Sequence, residues 1–216
     1  MNHVFRVLAR SVNDLFQAIG PLIFANLLWL ALSLPLITAP AAGAGLYYFV
    51  ALTIRGEEPS LASFWDGFRR YFVRSGALAA LNLAVLIVLL VNFLFYLGQA
   101  NEGVRLIAIP MFYLLVLWLC VQTYLAPLML QAEWWPDARQ DRPGPWALFK
   151  RAIRLTLAEP AFTLFVALAV LAWMALSVAL AGPILILSAA GVALIRTRAT
   201  LTILGQEPEP LKPGWK

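Results

Sequence analysis

Residues 26–48 read NLLWLALSLPLITAPAAGAGLYY, an apolar run ready to enter a membrane but interrupted by Pro35, Pro40, Gly43 and Gly45. It is either one kinked span, a re-entrant segment or a corner between two spans, and the choice sets the topology of the whole chain. The surroundings favour a membrane throughout. Of the 216 residues, 62% are hydrophobic and 12% are charged, with a mean hydropathy of +0.81, whereas soluble domains carry about 25% charged residues. Stretches such as 76–97 and 106–130 are nearly free of charge and long enough to cross roughly 30 Å of hydrocarbon at about 1.5 Å per residue.

Apolar segments lie near residues 20–37, 40–54, 77–97, 106–131, 161–181 and 184–204. Lysine and arginine concentrate in cytoplasmic loops of membrane proteins, which tests this count. With six spans, the inner parts are the N-terminus, residues 55–76, residues 132–160 and the end of the chain. They hold Arg6, Arg10, Arg55, Arg69, Arg70, Arg74, Arg139, Arg142, Lys150, Arg151, Arg154, Lys212 and Lys216, with Arg196 and Arg198 toward the inner end of the last span, leaving only Arg105 outside. Reading 20–54 as one pass would scatter these cations over both faces. The prolines of the opening stretch therefore mark an external turn between two helices, and Ala181-Gly182-Pro183 is expected to do the same between the last two. The second segment is short, so it must tilt little or cross a thin bilayer. Arg6 and Arg10 ahead of an apolar stretch give a cleaved signal peptide some basis, but the stretch is long for one and reads better as the first anchor.

The inner loops repeat a pattern. Residues 64–70, FWDGFRR, are echoed by 145–151, PWALFKR. Each has Trp-x-x-Phe followed by two cations, so Trp65 and Phe68, or Trp146 and Phe149, share a helical face. Phe5 to Arg10 form a weaker third copy. A second echo links residues 53–59, TIRGEEP, to 202–208, TILGQEP. The expected architecture is all-α: one membrane domain of about six transmembrane helices in three hairpins, each preceded by a cytoplasmic amphipathic helix. The pseudo-repeats run roughly 1–58, 59–140 and 141–208, with a tail at 209–216 and both termini cytoplasmic.

These surface helices read first as interfacial anchors, with aromatics at the headgroups and cations toward anionic lipid. Their sharper reading is a docking face, since exposed Trp and Arg suit binding hot spots. The candidate lipid or partner contacts are Trp65, Phe68, Arg69, Arg70, Trp146, Phe149, Lys150, Arg151, Arg196 and Arg198. The loop 133–145, with Trp134, Trp135, Pro136, Pro143 and Pro145, is another candidate surface.

Chemistry is sparse. Cys120 and His3 are each alone of their kind, so no intrachain disulfide, thiolate cluster, histidine triad or multi-histidine metal site can be built. No phosphate-binding loop or nucleophile elbow occurs, and no cofactor, metal or enzymatic activity is expected. The net charge of +5 resides in the inner loops and does not point to nucleic acid. Ionisable groups inside a bilayer are functional candidates by default, yet only Arg196 and Arg198 sit within a span, where they can snorkel inward or bind an anionic headgroup or a partner's carboxylate. The candidate intramembrane polar residues are Asn26, Asn82 and Gln122. Such groups commonly join helices by hydrogen bonds, as the run Ala41 to Gly45 does by close contact.

Asn26-Leu27-Leu28-Trp29, Ser33-Leu34-Pro35, Pro40, Tyr47-Tyr48, Arg55-Gly56-Glu57-Glu58 and Phe64-Trp65 with Phe68 resemble the YesL-like family of bacterial membrane proteins, most clearly over residues 20–75. Thr38-Ala39-Pro40 stands where that family more often has a glycine-proline pair. The resemblance implies an inner-membrane protein of undefined role and an accessory part in sugar uptake. Its implied partners are ABC transporter subunits or further copies of the chain. It carries over no catalytic or binding residues. Two functions follow as expectations: a non-enzymatic accessory or regulator of a transport assembly, or a small transporter or channel with a polar site between the hairpins.

Overall fold

The computed structural model describes residues 2–134, 144–179 and 187–206, which form helices joined by short connections. They are α1 (Asn2–Gln17), α2 (Ile19–Ser33), α3 (Ala39–Ile54), α4 (Leu61–Leu97), α5 (Glu102–Arg105), α6 (Ala108–Trp134), α7 (Pro145–Ala158), α8 (Pro160–Ala179) and α9 (Ser188–Ile203). Each of the six apolar segments is helical over most of its described residues. The turn at 181–183 and most of the loop 133–145 lie outside the described residues.

The opening stretch is a corner between two helices. α2 ends at Ser33, residues 34–38 turn, and α3 begins with Pro40 in its first turn, where the missing N–H costs nothing. Thr38 tightens the turn: its N–H donates to the Pro35 carbonyl at 2.9 Å, and its hydroxyl is shared between the carbonyls of Leu32 and Pro35. The tip is apolar, with Leu34, Leu36 and Ile37 80–87% exposed.

The second sequence echo has a structural counterpart. At the end of α3 the Gly56 N–H reaches the Thr53 carbonyl and the Glu57 N–H reaches that of Leu52. At the end of α9 the Gly205 N–H reaches Thr202 and the Gln206 N–H reaches Leu201. Gly56 and Gly205 have φ of 76° and 66°, the left-handed conformation that this closure requires and that glycine adopts without a Cβ penalty.

The amphipathic segments are joined to the apolar helices that follow them in three ways. α1 meets α2 at a 92° bend. α7 stops at Glu159 (φ −134°, ψ 72°) because Pro160 excludes the helical conformation from the residue before it. Between FWDGFRR and the following apolar run no such breaker stands, so α4 is one helix of 37 residues, about 55 Å long. It starts at a capping box in which Ser60 and Ser63 bond each other's backbone N–H, satisfying two otherwise orphaned donors.

Among the described residues, three helices are long and apolar enough to cross a membrane: α4, the α5–α6 segment Glu102–Leu130, and α8. The bent pair of α1 and α2 would make a fourth if it is one span. α2, α3 and α9, at 15 to 16 residues, reach only about 22–24 Å. α3 and α9 form the centre. α3 packs along α4 at close range, since a Cβ on Gly45 would lie 2.9 Å from the Phe64 carbonyl and one on Gly67 would lie 2.7 Å from Tyr48 Cβ. α3 thus rests against the amphipathic first half of α4. The most apolar stretch of α4 is left almost bare, 6% buried within the protein.

Candidate functional site

α9 carries the polar centre. Arg196 and Arg198 are two residues apart, about 200° around a helix, and they meet different surroundings.

Arg198 is fully buried and faces α1. Its Nη2 and Nε lie 2.6 and 2.8 Å from Asp14 Oδ2, and Asp14 is itself 0% exposed. Burial pushes the Asp14 carboxyl above its ordinary value, opposed by the Arg198 guanidinium; loss of hydration disfavours the charged form and the nearby cation favours it. The pair is incompletely satisfied, because Asp14 Oδ1 and Arg198 Nη1 have no hydrogen-bond partner. Arg198 is therefore an internal ion-pair partner, which corrects its expected role as a lipid or partner contact. Asp14 escaped notice in the sequence, although it is the only acidic residue before Glu57.

Arg196 lines a cavity of about 170 Å³ together with residues of α3, α4 and α6. Its Nε is buried without a hydrogen-bond partner, and among the described residues no carboxylate pairs with it. Across the cavity, Trp118 and Gln122 are one turn apart on α6 and both donate to Asn82 Oδ1 on α4, the indole Nε1 at 2.9 Å. An indole N–H can only donate, so the Asn82 atom it meets is the oxygen, and Gln122 must present its NH₂ to that same oxygen. The Asn82 NH₂ and the Gln122 oxygen are then left for the cavity. Tyr47 and Ser75 add hydroxyls, Ser75 donating to the Phe72 carbonyl at 3.2 Å, while Leu78, Leu125 and Met129 supply apolar wall. Gly43 opens onto this space, since a Cβ there would meet nothing within 4 Å. Of the small-residue run, Ala41, Ala42 and Gly45 are packing positions; Gly43 and Ala44 line the cavity.

Asn26 stands apart from these residues. Its Oδ1 accepts the Ala190 backbone N–H at 3.1 Å, capping from α2 one of the donors that the first turn of α9 cannot pair internally. A larger cavity of about 260 Å³ lies between α1, α8 and α9. It is walled by Leu8, Val12, Leu15, Trp173 and Leu176, with Ser11 as its one polar side chain, and it lacks groups for polar recognition.

The two Trp-x-x-Phe helices are built alike. Trp65 is 40% exposed and Trp146 is 60% exposed. The Arg69 guanidinium lies 4.9 Å from the first ring centroid and the Lys150 ammonium 5.8 Å from the second, within cation–π range. The phenylalanines point inward: Phe68 is buried beneath Trp65 at 5.0 Å, and Phe149, fully buried, stacks on Trp118 at 5.1 Å. Phe68 and Phe149 are thus core anchors, a correction to their expected place on a contact surface. Arg69, Arg70 and Lys150 remain exposed, and Arg151 is half-buried. Through Phe149, Trp118 and Asn82, α7 connects physically to the cavity, a link with no trace in the sequence beyond the i, i+4 spacing of Trp118 and Gln122. Cys120 is buried, and among the described residues no group of His, Cys, Asp or Glu could hold a metal ion.

A family model described as a protein of unknown function, DUF624, matches residues 22–93. The match covers α2, α3 and most of α4, the stretch on which the resemblance to the YesL-like proteins rests. It includes Gly43, Tyr47, Ser75 and Asn82 of the cavity wall and leaves Gln122 and Arg196 outside. No curated protein and no solved structure matches the chain.

Proposed function

We propose that this chain is a non-enzymatic integral membrane protein that holds a small polar solute in the cavity between α3, α4, α6 and α9. The observation that carries the reading is the convergence of Asn82, Gln122 and Arg196, far apart in sequence, on one space. Binding sites are typically largely apolar, with a few placed polar groups. The experiment is uptake into liposomes from a panel of sugars and small acids. Gly43→Leu has room for its Cβ, so it would fill the cavity and abolish uptake without unfolding the protein; Asn82→Leu would abolish uptake by removing a polar group from the wall. Absence of uptake and of binding across the panel would refute the reading.

A second reading is favoured by the paired cation-over-indole surfaces on α4 and α7: an accessory role beside a transport assembly, with an ABC transporter subunit or another copy as partner. The resemblance to the YesL-like family adds sugar uptake as the setting. Gentle solubilisation should then recover a complex or a self-oligomer, and repeated recovery of a lone monomer would count against it.

Both readings assume the bacterial cytoplasmic membrane, six spans in three hairpins and cytoplasmic termini. The one-sided distribution of lysine and arginine supports this. The 15-residue α2 and 16-residue α3 would require a locally thin bilayer or a covered tip. A cysteine at Ala39 should label from outside with an impermeant reagent and one at Ser60 should not.

A further inference from the structure

We propose that the cavity is an oxyanion site: Arg196 and the Asn82 NH₂ receive the carboxylate or phosphate of a small solute, and the Gln122 oxygen and Tyr47 hydroxyl receive its hydroxyl groups. This rests on the reading that the cavity holds a solute. The contrast between two arginines on one helix carries it. Arg198 is matched inside the protein by Asp14, whereas Arg196, with its Nε buried and unpartnered, is turned to a cavity whose lining contains no carboxylate.

Arg196 is half-buried, and a guanidinium nitrogen taken out of water with no hydrogen-bond partner is costly; a fold keeps such an arrangement where function uses it. The orientation forced on Asn82 by the Trp118 indole directs a second donor the same way. With no acid in the wall, a cationic solute would meet repulsion from Arg196 and nothing to offset it. The oxyanion is better served, because a guanidinium offers paired donors matched to carboxylate or phosphate oxygens. Leu78, Leu125 and Met129 accommodate a short carbon skeleton. A cavity of about 150 Å³ takes benzene, so this one, at about 170 Å³, suits a solute on the order of six to ten non-hydrogen atoms. The anion could belong to a free solute or to a lipid headgroup; the chemistry is shared.

The test is calorimetric binding to delipidated, detergent-solubilised full-length protein of glycerate, glycerol 3-phosphate and glycerol, which differ in their anionic group. At least one acid should bind about tenfold or more tightly than glycerol. Arg196→Gln should weaken the acids by about 10- to 100-fold, the loss of a charge-assisted hydrogen bond, and leave glycerol unchanged. Arg196→Lys should retain acid binding within about tenfold. Arg196→Gln should also melt no lower than the native protein, an outcome opposite to that for a structural arginine. Glycerate binding, or glycerol 3-phosphate binding that added phospholipid does not compete away, identifies a free solute as the source; glycerol 3-phosphate binding alone, competed away by added phospholipid, identifies a headgroup. Equal binding of glycerol and the acids, indifferent to Arg196→Gln, would overturn the oxyanion assignment and leave the solute cavity standing. Binding of none of the three would overturn the assignment, and the uptake panel then decides the cavity reading separately. Should Arg196→Gln fail to fold, the acid-to-glycerol contrast in the native protein decides the assignment alone.

Discussion

Replacing Asp14 should destabilise the protein far more than replacing both members of its ion pair. Asp14 and Arg198 are each 0% exposed, and one carboxylate oxygen takes both contacts, at 2.6 and 2.8 Å. Asp14→Asn leaves a guanidinium fully buried beside a neutral amide, and breaking a buried pair from one side costs about 3–5 kcal/mol. The pair's own net worth is small. Asp14 Oδ1 and Arg198 Nη1 have no hydrogen-bond partner, and each unsatisfied buried polar atom costs about 1–3 kcal/mol. Asp14→Leu combined with Arg198→Met removes both charges at similar volume, so the double variant should equal the native protein or exceed it by up to about 4 kcal/mol. Reversible unfolding in mixed micelles, followed by tryptophan fluorescence, gives both numbers. Hydrogen exchange over residues 2–17 should rise in Asp14→Asn alone, since the pair fastens α1 to α9. A loss below about 1 kcal/mol in Asp14→Asn would show that the charge finds compensation elsewhere, and a double variant as unstable as the single one would show that the pair itself contributes the stability.

Three further outcomes follow from the packing. Gly191→Ala places a Cβ 2.5 Å from the Trp173 indole; it should cost about 1–3 kcal/mol by overpacking and disturb the Trp173 bond to the Ser188 carbonyl, read as a shift in tryptophan emission. Trp118→Phe keeps the stack on Phe149 but removes the donor that orients Asn82; stability should fall by about 1 kcal/mol while solute binding weakens more than that loss accounts for. Ser60→Ala should cost about 1 kcal/mol, with faster exchange confined to the first turn of α4.

The helices were legible in the sequence because they rest on local rules. Pro40 was legible at a corner and the 53–59 and 202–208 echo as a matched pair; the closures at Gly56 and Gly205 and the break before Pro160 obey equally local backbone rules but emerged only with the structure. The small residues of α3 were legible as contact positions, though not which of them would face a cavity. Partners at long range were not legible. Nothing local distinguishes Arg196 from Arg198, and their fates differ only because α1 brings Asp14 to one face of α9 while α3, α4 and α6 enclose the other. Phe68 and Phe149 were misplaced for a related reason: on an amphipathic helix the Trp-x-x-Phe pair marks one apolar stripe, but burial depends on what covers it. The neighbours cover each phenylalanine and leave each tryptophan to its own cation.

The continuity between surface and cavity bears on how the two proposed functions relate. On α7, Trp146 and Lys150 form the exposed side and Phe149 the buried side, one turn apart on the same helix. Phe149 touches the indole whose N–H fixes Asn82. A partner that tilted α7 would move Phe149, and through Trp118 it would change the orientation of a cavity donor. α4 offers a second route, since the helix bearing Trp65 and Arg69 continues unbroken through Ser75 and Asn82. A docking role and a solute-binding role are then two ends of the same packed elements. Spatial contact alone does not establish coupling, which is an energy shared between sites. The measurement is a double-mutant cycle between Trp146→Ala and Asn82→Leu, read in uptake with and without the partner. An interaction energy near zero would separate the two functions.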